Sequence, residues 1–236
     1  MINIFVFGAN SDLIYELIII SDDNIHWHLY SKKIGELKNK INQISNKKKG
    51  SLFTLKKIDF SEKFLDTVIF DLKSSTIDKI ILAQGLLVKN DLSPEKYSEF
   101  YQVNVISIMQ IIQVSLKILK HQGYGKIIVF GSIAGDIGKN SNYLYGSSKG
   151  ALGIFVEGLQ KDKEYGKFIT ILKPGPIYTK MTNGYKSNFL WIDKVKAGKL
   201  IKEAINKNQK IIYIPRYWKI IIFILKILPN FLTKKL

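Results

Sequence analysis

Apolar runs of strand length alternate along this chain with longer segments in which apolar residues recur at helical spacing. Strands are expected at Asn3 to Phe7, His26 to Tyr30, Ser51 to Lys57, Lys79 to Ala83, Gly125 to Phe130, Phe168 to Lys173 and Lys210 to Ile214. Helices are expected over Asp12 to Ile20, Lys33 to Ile44, Ser61 to Leu72, Pro94 to Lys120, Tyr145 to Tyr165 and Ile192 to Asn206. Ser93 followed by Pro94 is an N-cap with Pro at the first helical position. The alternation predicts repeated βαβ units, and hence an α/β fold: a Rossmann-type doubly wound parallel sheet of about seven strands covered on both faces. Such a sheet takes its ligands at the carboxyl ends of the strands, near the point where strand order reverses.

The chain has 236 residues, 46% of them hydrophobic, enough for one sizeable core and one domain. No linker-like stretch and no internal repeat interrupts it, and the run Lys47 to Lys49 reads as a surface loop. Residues 1–215 are expected to form that domain and 216–236 a basic amphipathic helical tail. The net charge of +17 invites a nucleic-acid reading, but Arg216 is the only Arg, and Arg is the residue nucleic-acid sites favour. No nucleic-acid partner is expected. The absence of Cys excludes disulfides and thiolate metal sites, and His26, His28 and His121 have no metal-ligand spacing. The first strand opens at the N-terminus with no basic n-region or cleavage site, so a cytoplasmic location is expected.

The residues with chemical potential cluster after strands. Gly8 ends the first strand and permits a tight turn, after which backbone N–H groups at a helix N-terminus can face a pyrophosphate. Ser132 ends the fifth strand, and thirteen residues later Tyr145 and Lys149 stand one helical turn apart on the same face. Tyr is a poor base at neutral pH unless a nearby cation lowers its pKa below the ordinary value near 10, and Lys149 is the expected source. Ser132 can hydrogen-bond the substrate oxygen from the other side.

These residues, with Tyr101-Gln102-Val103-Asn104-Val105 upstream and Pro174-Gly175-Pro176-Ile177-Tyr178-Thr179 downstream, resemble the short-chain dehydrogenase/reductase family over essentially residues 2–215. The resemblance implies a catalytic tetrad of Asn104, Ser132, Tyr145 and Lys149, with Asn104 holding a helix irregularity. It implies an NAD(P) cofactor held by Gly8, Asn10, Ser11, Asp12 and Leu13 at the phosphate loop, by Asp59, Phe60, Ala83, Gln84 and Gly85 around the adenosine, and by Tyr145, Lys149, Pro174, Gly175, Ile177 and Thr179 around the nicotinamide. The loop Gly8-Ala9-Asn10-Ser11-Asp12-Leu13 is similar to a bacterial subset with G-A-T-S-D-I-A at this place, the decaprenylphosphoryl-ribose keto-reductase-like members. Asp12 and Ile14 stand where glycines are common, which also fits a protein that senses a dinucleotide without turnover; the complete tetrad favours catalysis. After the second strand, Ser31 and Lys32 replace the acid that an NAD-preferring member places on the ribose hydroxyls, so NADP(H) is favoured over NAD(H).

The tail from Pro215 is too short to span a bilayer, and Lys226 and Pro229 interrupt its apolar run. As a helix it places Trp218, Ile221, Ile222, Leu225 and Leu228 on one broad face, suited to a membrane interface or to packing on the protein or a partner subunit. It resembles the tails of family members acting on membrane-borne or lipid-linked substrates, which implies a keto-sugar in polysaccharide or polyprenyl-linked sugar biosynthesis. Ala151, Ile154, Phe155, Gly158 and Leu159 recur at helical spacing, as core or as the helix-pair interface of family homodimers and homotetramers.

Overall fold

The structure is a computed structural model that describes residues 1–229 except 62, 89 and 91; the last part of the tail, 230–236, lies outside the described residues. Seven parallel strands form one sheet: β1 (Ile2–Phe7), β2 (Ile25–Ser31), β3 (Leu52–Lys57), β4 (Lys79–Leu82), β5 (Lys126–Phe130), β6 (Ile169–Pro174) and β9 (Ile211–Ile214). Their order is β3-β2-β1-β4-β5-β6-β9, so the connections reverse between β1 and β4. Each expected strand is present to within a residue at either end. A two-stranded parallel pair, β7 (Ile177–Tyr178) with β8 (Ile192–Asp193), was not expected from the sequence, because two-residue strands leave no periodicity.

Two apolar cores lie on the two faces of the sheet. Phe5, Phe7, Ile80, Leu82, Ile127, Val129 and Ile171 point to one side, against α3 (Leu65–Lys73), α5 (Ser107–Gln122) and α6 (Tyr143–Lys161). Ile4, Val6, Ile81, Ile128 and Leu172 point to the other, against α1 (Asp12–Ile20), α2 (Ile34–Ser45) and α7 (Lys194–Ile205). The alternation within each strand is the period-two pattern of a sheet buried on both faces.

Helix boundaries depart from expectation where a polar side chain ties off the backbone. Asp59 accepts from the Ser61 amide at 3.1 Å, holding a turn that delays α3 to Leu65. Asp162 accepts from the Glu164 and Tyr165 amides at 2.8 and 3.0 Å, so α6 ends at Lys161. Asp193 caps α7 by accepting from the Lys196 amide at 2.8 Å, which leaves Ile192 to β8. The helix expected from Pro94 is built of a 3₁₀ turn, the short α4 (Tyr97–Tyr101), a π turn over Gln102–Ile106, and α5, which Gly123 closes in the left-handed region. The run Pro94–Gln122 is long and apolar enough to cross a membrane, yet its Ile108, Ile111, Ile112, Leu116 and Leu119 are packed into the core. On α6, Phe155 and Leu159 pack against the core, whereas Ile154 is exposed and Ala151 and Gly158 lie at the surface.

Candidate active site

β5 delivers Ser132 to the carboxyl edge of the sheet in an extended backbone, where its Oγ accepts from the Ala134 amide at 3.1 Å. The phenol of Tyr145, which α6 presents, lines the same cavity as that hydroxyl, which acts to lower its pKa. One turn along α6, Lys149 is 5% exposed, and its Nζ lies 5.8 Å from the centroid of the Tyr145 ring. That ammonium donates to the Phe130 carbonyl at 2.9 Å, tying α6 to the end of β5.

Asn104 is fully buried on the π turn. Its Oδ1 accepts from the Leu86 amide at 2.7 Å, and its Nδ2 donates to the Leu86 carbonyl at 2.9 Å and to Ser148 Oγ at 3.3 Å. The widened turn thus lets one side chain lock the strand following β4 to α6, beside Tyr145 and Lys149. The four tetrad residues are therefore brought together.

Their electrostatics correct one expectation. Burial pushes the Tyr145 phenol up to about 12, against the lowering effect of the Ser132 hydrogen bond and with a further rise from Tyr185. Burial also lowers the Lys149 ammonium to about 8. The ammonium is turned to the Phe130 carbonyl, so desolvation outweighs the attraction that was expected to bring Tyr145 below 10. Tyr145 therefore holds its proton at neutral pH and is poised as an acid.

A cavity of about 270 Å³ runs across the carboxyl edge of the sheet. Ser11, Leu13, Ala83, Gln84 and Gly85 line one part; Ser132, Tyr145 and Lys149 line another, together with Pro174, Gly175, Ile177 and Thr179. Gly8 adopts φ +84°, and a side chain there would collide with the Gln84 main chain. The turn thus opens backbone amides at the N-terminus of α1. Gln84 is 4% exposed, and neither its Oε1 nor its Nε2 has a hydrogen-bond partner among the described residues. An unpaired buried amide is costly unless a ligand supplies its partners. The Gly8 cradle and the orphaned amide fit a bound dinucleotide.

Several residues expected around that cofactor have structural partners of their own. Asp12 meets Lys40 Nζ at 3.2 Å and accepts from the Lys180 amide at 2.8 Å. Burial would raise its pKa, but these contacts hold it below the ordinary carboxylate value. Asp12 thus fastens α1 to α2 and to the loop after β7, and its charge is offset there. Ile14 is fully buried in the core and does not intrude on the Gly8 turn. The Asn10 side chain donates to the Lys33 carbonyl at 2.9 Å. Ser31 is buried and accepts from the Lys33 amide at 3.2 Å. Lys32 pairs with Asp59 at 2.6 Å, joining two residues expected to act separately on the ribose and the adenine. The Phe60 ring is in the core, edge-on to Phe7 and Phe64, and Phe60 does not line the cavity.

Sequence reasoning missed the far wall of the cavity. The tail forms α8 (Trp218–Ile227), and its Trp218, Ile222 and Leu225 line the same cavity as Tyr145. Asp136, just beyond Ser132, gathers Lys173, the Tyr213 hydroxyl at 3.0 Å and Lys226 at 4.0 Å, connecting β6, β9 and α8. No local pattern announces this cluster, since its members are far apart in the chain.

Comparison with known proteins agrees with this geometry. A family model described as short chain dehydrogenase matches residues 23–189, which include Asn104, Ser132, Tyr145, Lys149 and the Pro174–Thr179 stretch. An uncharacterized oxidoreductase of Mycobacterium tuberculosis is 26% identical over 167 residues, 68% of this chain and 66% of the relative. One of Staphylococcus epidermidis is 28% identical over 112 residues, 46% of this chain and 49% of the relative. The chain thus aligns with between about half and two thirds of these relatives' lengths. Among solved structures, a short-chain dehydrogenase from Sphingobium yanoikuyae in complex with NADPH superposes with a TM-score of 0.78 at 14% identity, covering 91% of this chain and 88% of that one. One from Burkholderia cenocepacia in complex with NADP gives 0.71 at 20% identity, covering 90% and 87%. At these identities the likeness shows a shared fold.

Proposed function

Because the chain belongs to the short-chain dehydrogenase family, we propose that it is an NAD(P)-dependent oxidoreductase interconverting a carbonyl and a secondary alcohol. The observation that carries this reading is the Ser132–Tyr145–Lys149 arrangement in the wall of the cavity, with a protonated phenol at neutral pH. A bound nicotinamide would supply the hydride to the carbonyl carbon. Tyr145 gives its proton to the carbonyl oxygen as negative charge develops there, and Ser132 fixes that oxygen by a hydrogen bond. Lys149 stabilises the resulting phenolate, and Asn104 keeps α6 in register with the strand after β4. The test is NADPH-dependent reduction of a carbonyl panel, followed at 340 nm and lost in Tyr145→Phe. A protein that binds a dinucleotide without turnover is the second reading, and such a protein needs no placed proton donor.

NADP(H) is the proposed cofactor. Ser31 and Lys32 bring no acid to the end of β2, and the two solved relatives above hold NADPH and NADP. Because Lys32 is paired with Asp59, the 2′-phosphate has to share it. Lys32→Glu places two carboxylates side by side and is expected to weaken NADPH at least tenfold relative to NADH in fluorescence titrations. An unchanged ratio would place the discrimination elsewhere.

For the substrate, the resemblance of the tail and phosphate loop suggests a keto-sugar, free or lipid-linked, in glycan assembly. A second copy of the chain is the proposed partner at the α6 surface that exposes Ile154. An anionic membrane is the proposed partner of α8, whose outer face exposes Ile220, Phe223, Ile224 and Ile227 beside Lys219 and Lys226. Deleting the tail would remove the buried Trp218 and Ile222, so the informative variant replaces Ile220, Phe223 and Ile227 by Ser. That triple variant is expected to lose flotation with phosphatidylglycerol vesicles while keeping its thermal midpoint. Equal flotation of both proteins would exclude the membrane role.

A further inference from the structure

The family match ends at residue 189, yet the cavity holding Tyr145 is closed on one side by residues beyond it. α8 is fixed there along its length. The Tyr217 hydroxyl, just ahead of it, donates to the Leu190 carbonyl at 3.0 Å, Ile222 is buried, and Lys226 approaches Asp136 at 4.0 Å. Trp218 is 5% exposed and lies directly over Gly175, where any side chain would collide with the indole. Its Nε1 is packed against Gly175, shielded from solvent and without a hydrogen-bond partner among the described residues. Beside it, Ile222 and Leu225 of α8, with Met181 and Trp191 of the loop between β7 and β8, give the cavity an apolar lining.

We propose that α8 is the substrate wall. The substrate is a carbonyl compound with an apolar portion lying along Ile222 and Leu225. This rests on the oxidoreductase reading above and narrows it. Hydroxyl groups laid along Ile222 and Leu225 would meet side chains that cannot hydrogen-bond them, so an apolar portion of the substrate is favoured at that wall.

Alkyl acetoacetates supply a ketone and an adjustable apolar chain, whereas L-erythrulose supplies a ketone with hydroxyls alone. With NADPH in excess, kcat/KM is expected to rise from methyl to hexyl acetoacetate by up to about fourfold per methylene buried, and the hexyl ester is expected to exceed erythrulose at least tenfold. Leu225→Ser, a half-exposed position, should flatten that dependence, and Leu225→Trp should cut off the longer esters. Erythrulose reduced as well as the hexyl ester, or a length dependence that Leu225→Ser leaves intact, overturns the wall while the oxidoreductase reading stands. If NADPH binds but neither probe is reduced, that reading loses its support and binding decides the wall. Hexyl acetoacetate must then perturb the fluorescence of bound NADPH where erythrulose does not, and no perturbation overturns the proposal.

Discussion

Tyr145→Phe is expected to lower turnover of a carbonyl substrate by about 10² to 10⁴, the usual contribution of a positioned acid–base group, while NADPH binds nearly as before. The substitution removes one hydroxyl from a half-buried ring whose packing stays in place, so a folding defect is not the expected cause of the loss. The pH dependence follows from the raised phenol. Below about 12 the group is protonated, so reduction has its donor throughout the neutral range. Alcohol oxidation needs the phenolate, and its rate should climb as pH rises toward that value. Steady-state rates in both directions, with fluorescence titration of NADPH, check the prediction. A Tyr145→Phe protein that reduced a confirmed substrate at the parent rate would remove Tyr145 from the chemistry and bring the non-catalytic reading forward.

Lys149→Met is expected to act on both turnover and cofactor affinity, each by at least about tenfold, equivalent to about 1.4 kcal/mol. Lys149 lines the cavity beside Tyr145 and holds the Phe130 carbonyl, so its removal takes away the charge that stabilises the phenolate and leaves a buried carbonyl unpaired. Burial lowers the ammonium to about 8, so the charge is present below that pH and lost above it. The parent kcat/KM for reduction should therefore decline as pH rises through about 8, and Lys149→Met should lack that limb. A parent profile flat from pH 6 to 10, or a Lys149→Met profile that kept the decline, would assign the titration to another group.

The loop after β1 shows how one residue can be read two ways until its neighbours are known. Asp12 looked like a glycine lost from a cofactor site, and the structure gives it the task of joining α1 to Lys40 and to the Lys180 amide. Lys32 and Asp59 were legible singly, each after its strand, but their 2.6 Å pairing depends on β2 and β3 being neighbours in register. The tail reads as an amphipathic helix in either setting, and only its docking over Gly175 shows that its inner face belongs to the cavity.

What the sequence determined by itself is what local periodicity and spacing can encode. The alternation of strand-length and helix-length runs determined the parallel sheet and its strands. The four-residue step from Tyr145 to Lys149 put phenol and ammonium on one helix face, and Pro174 to Thr179 marked the edge after β6. The tertiary structure alone decided the protonation of that pair, because desolvation depends on every element packed around it, and burial moved Tyr145 up and Lys149 down. It likewise decided which residues share the cavity. Ser132, Gly175 and Trp218 share a cavity because the parallel order places β5, β6 and β9 side by side, each ending at the same edge of the sheet.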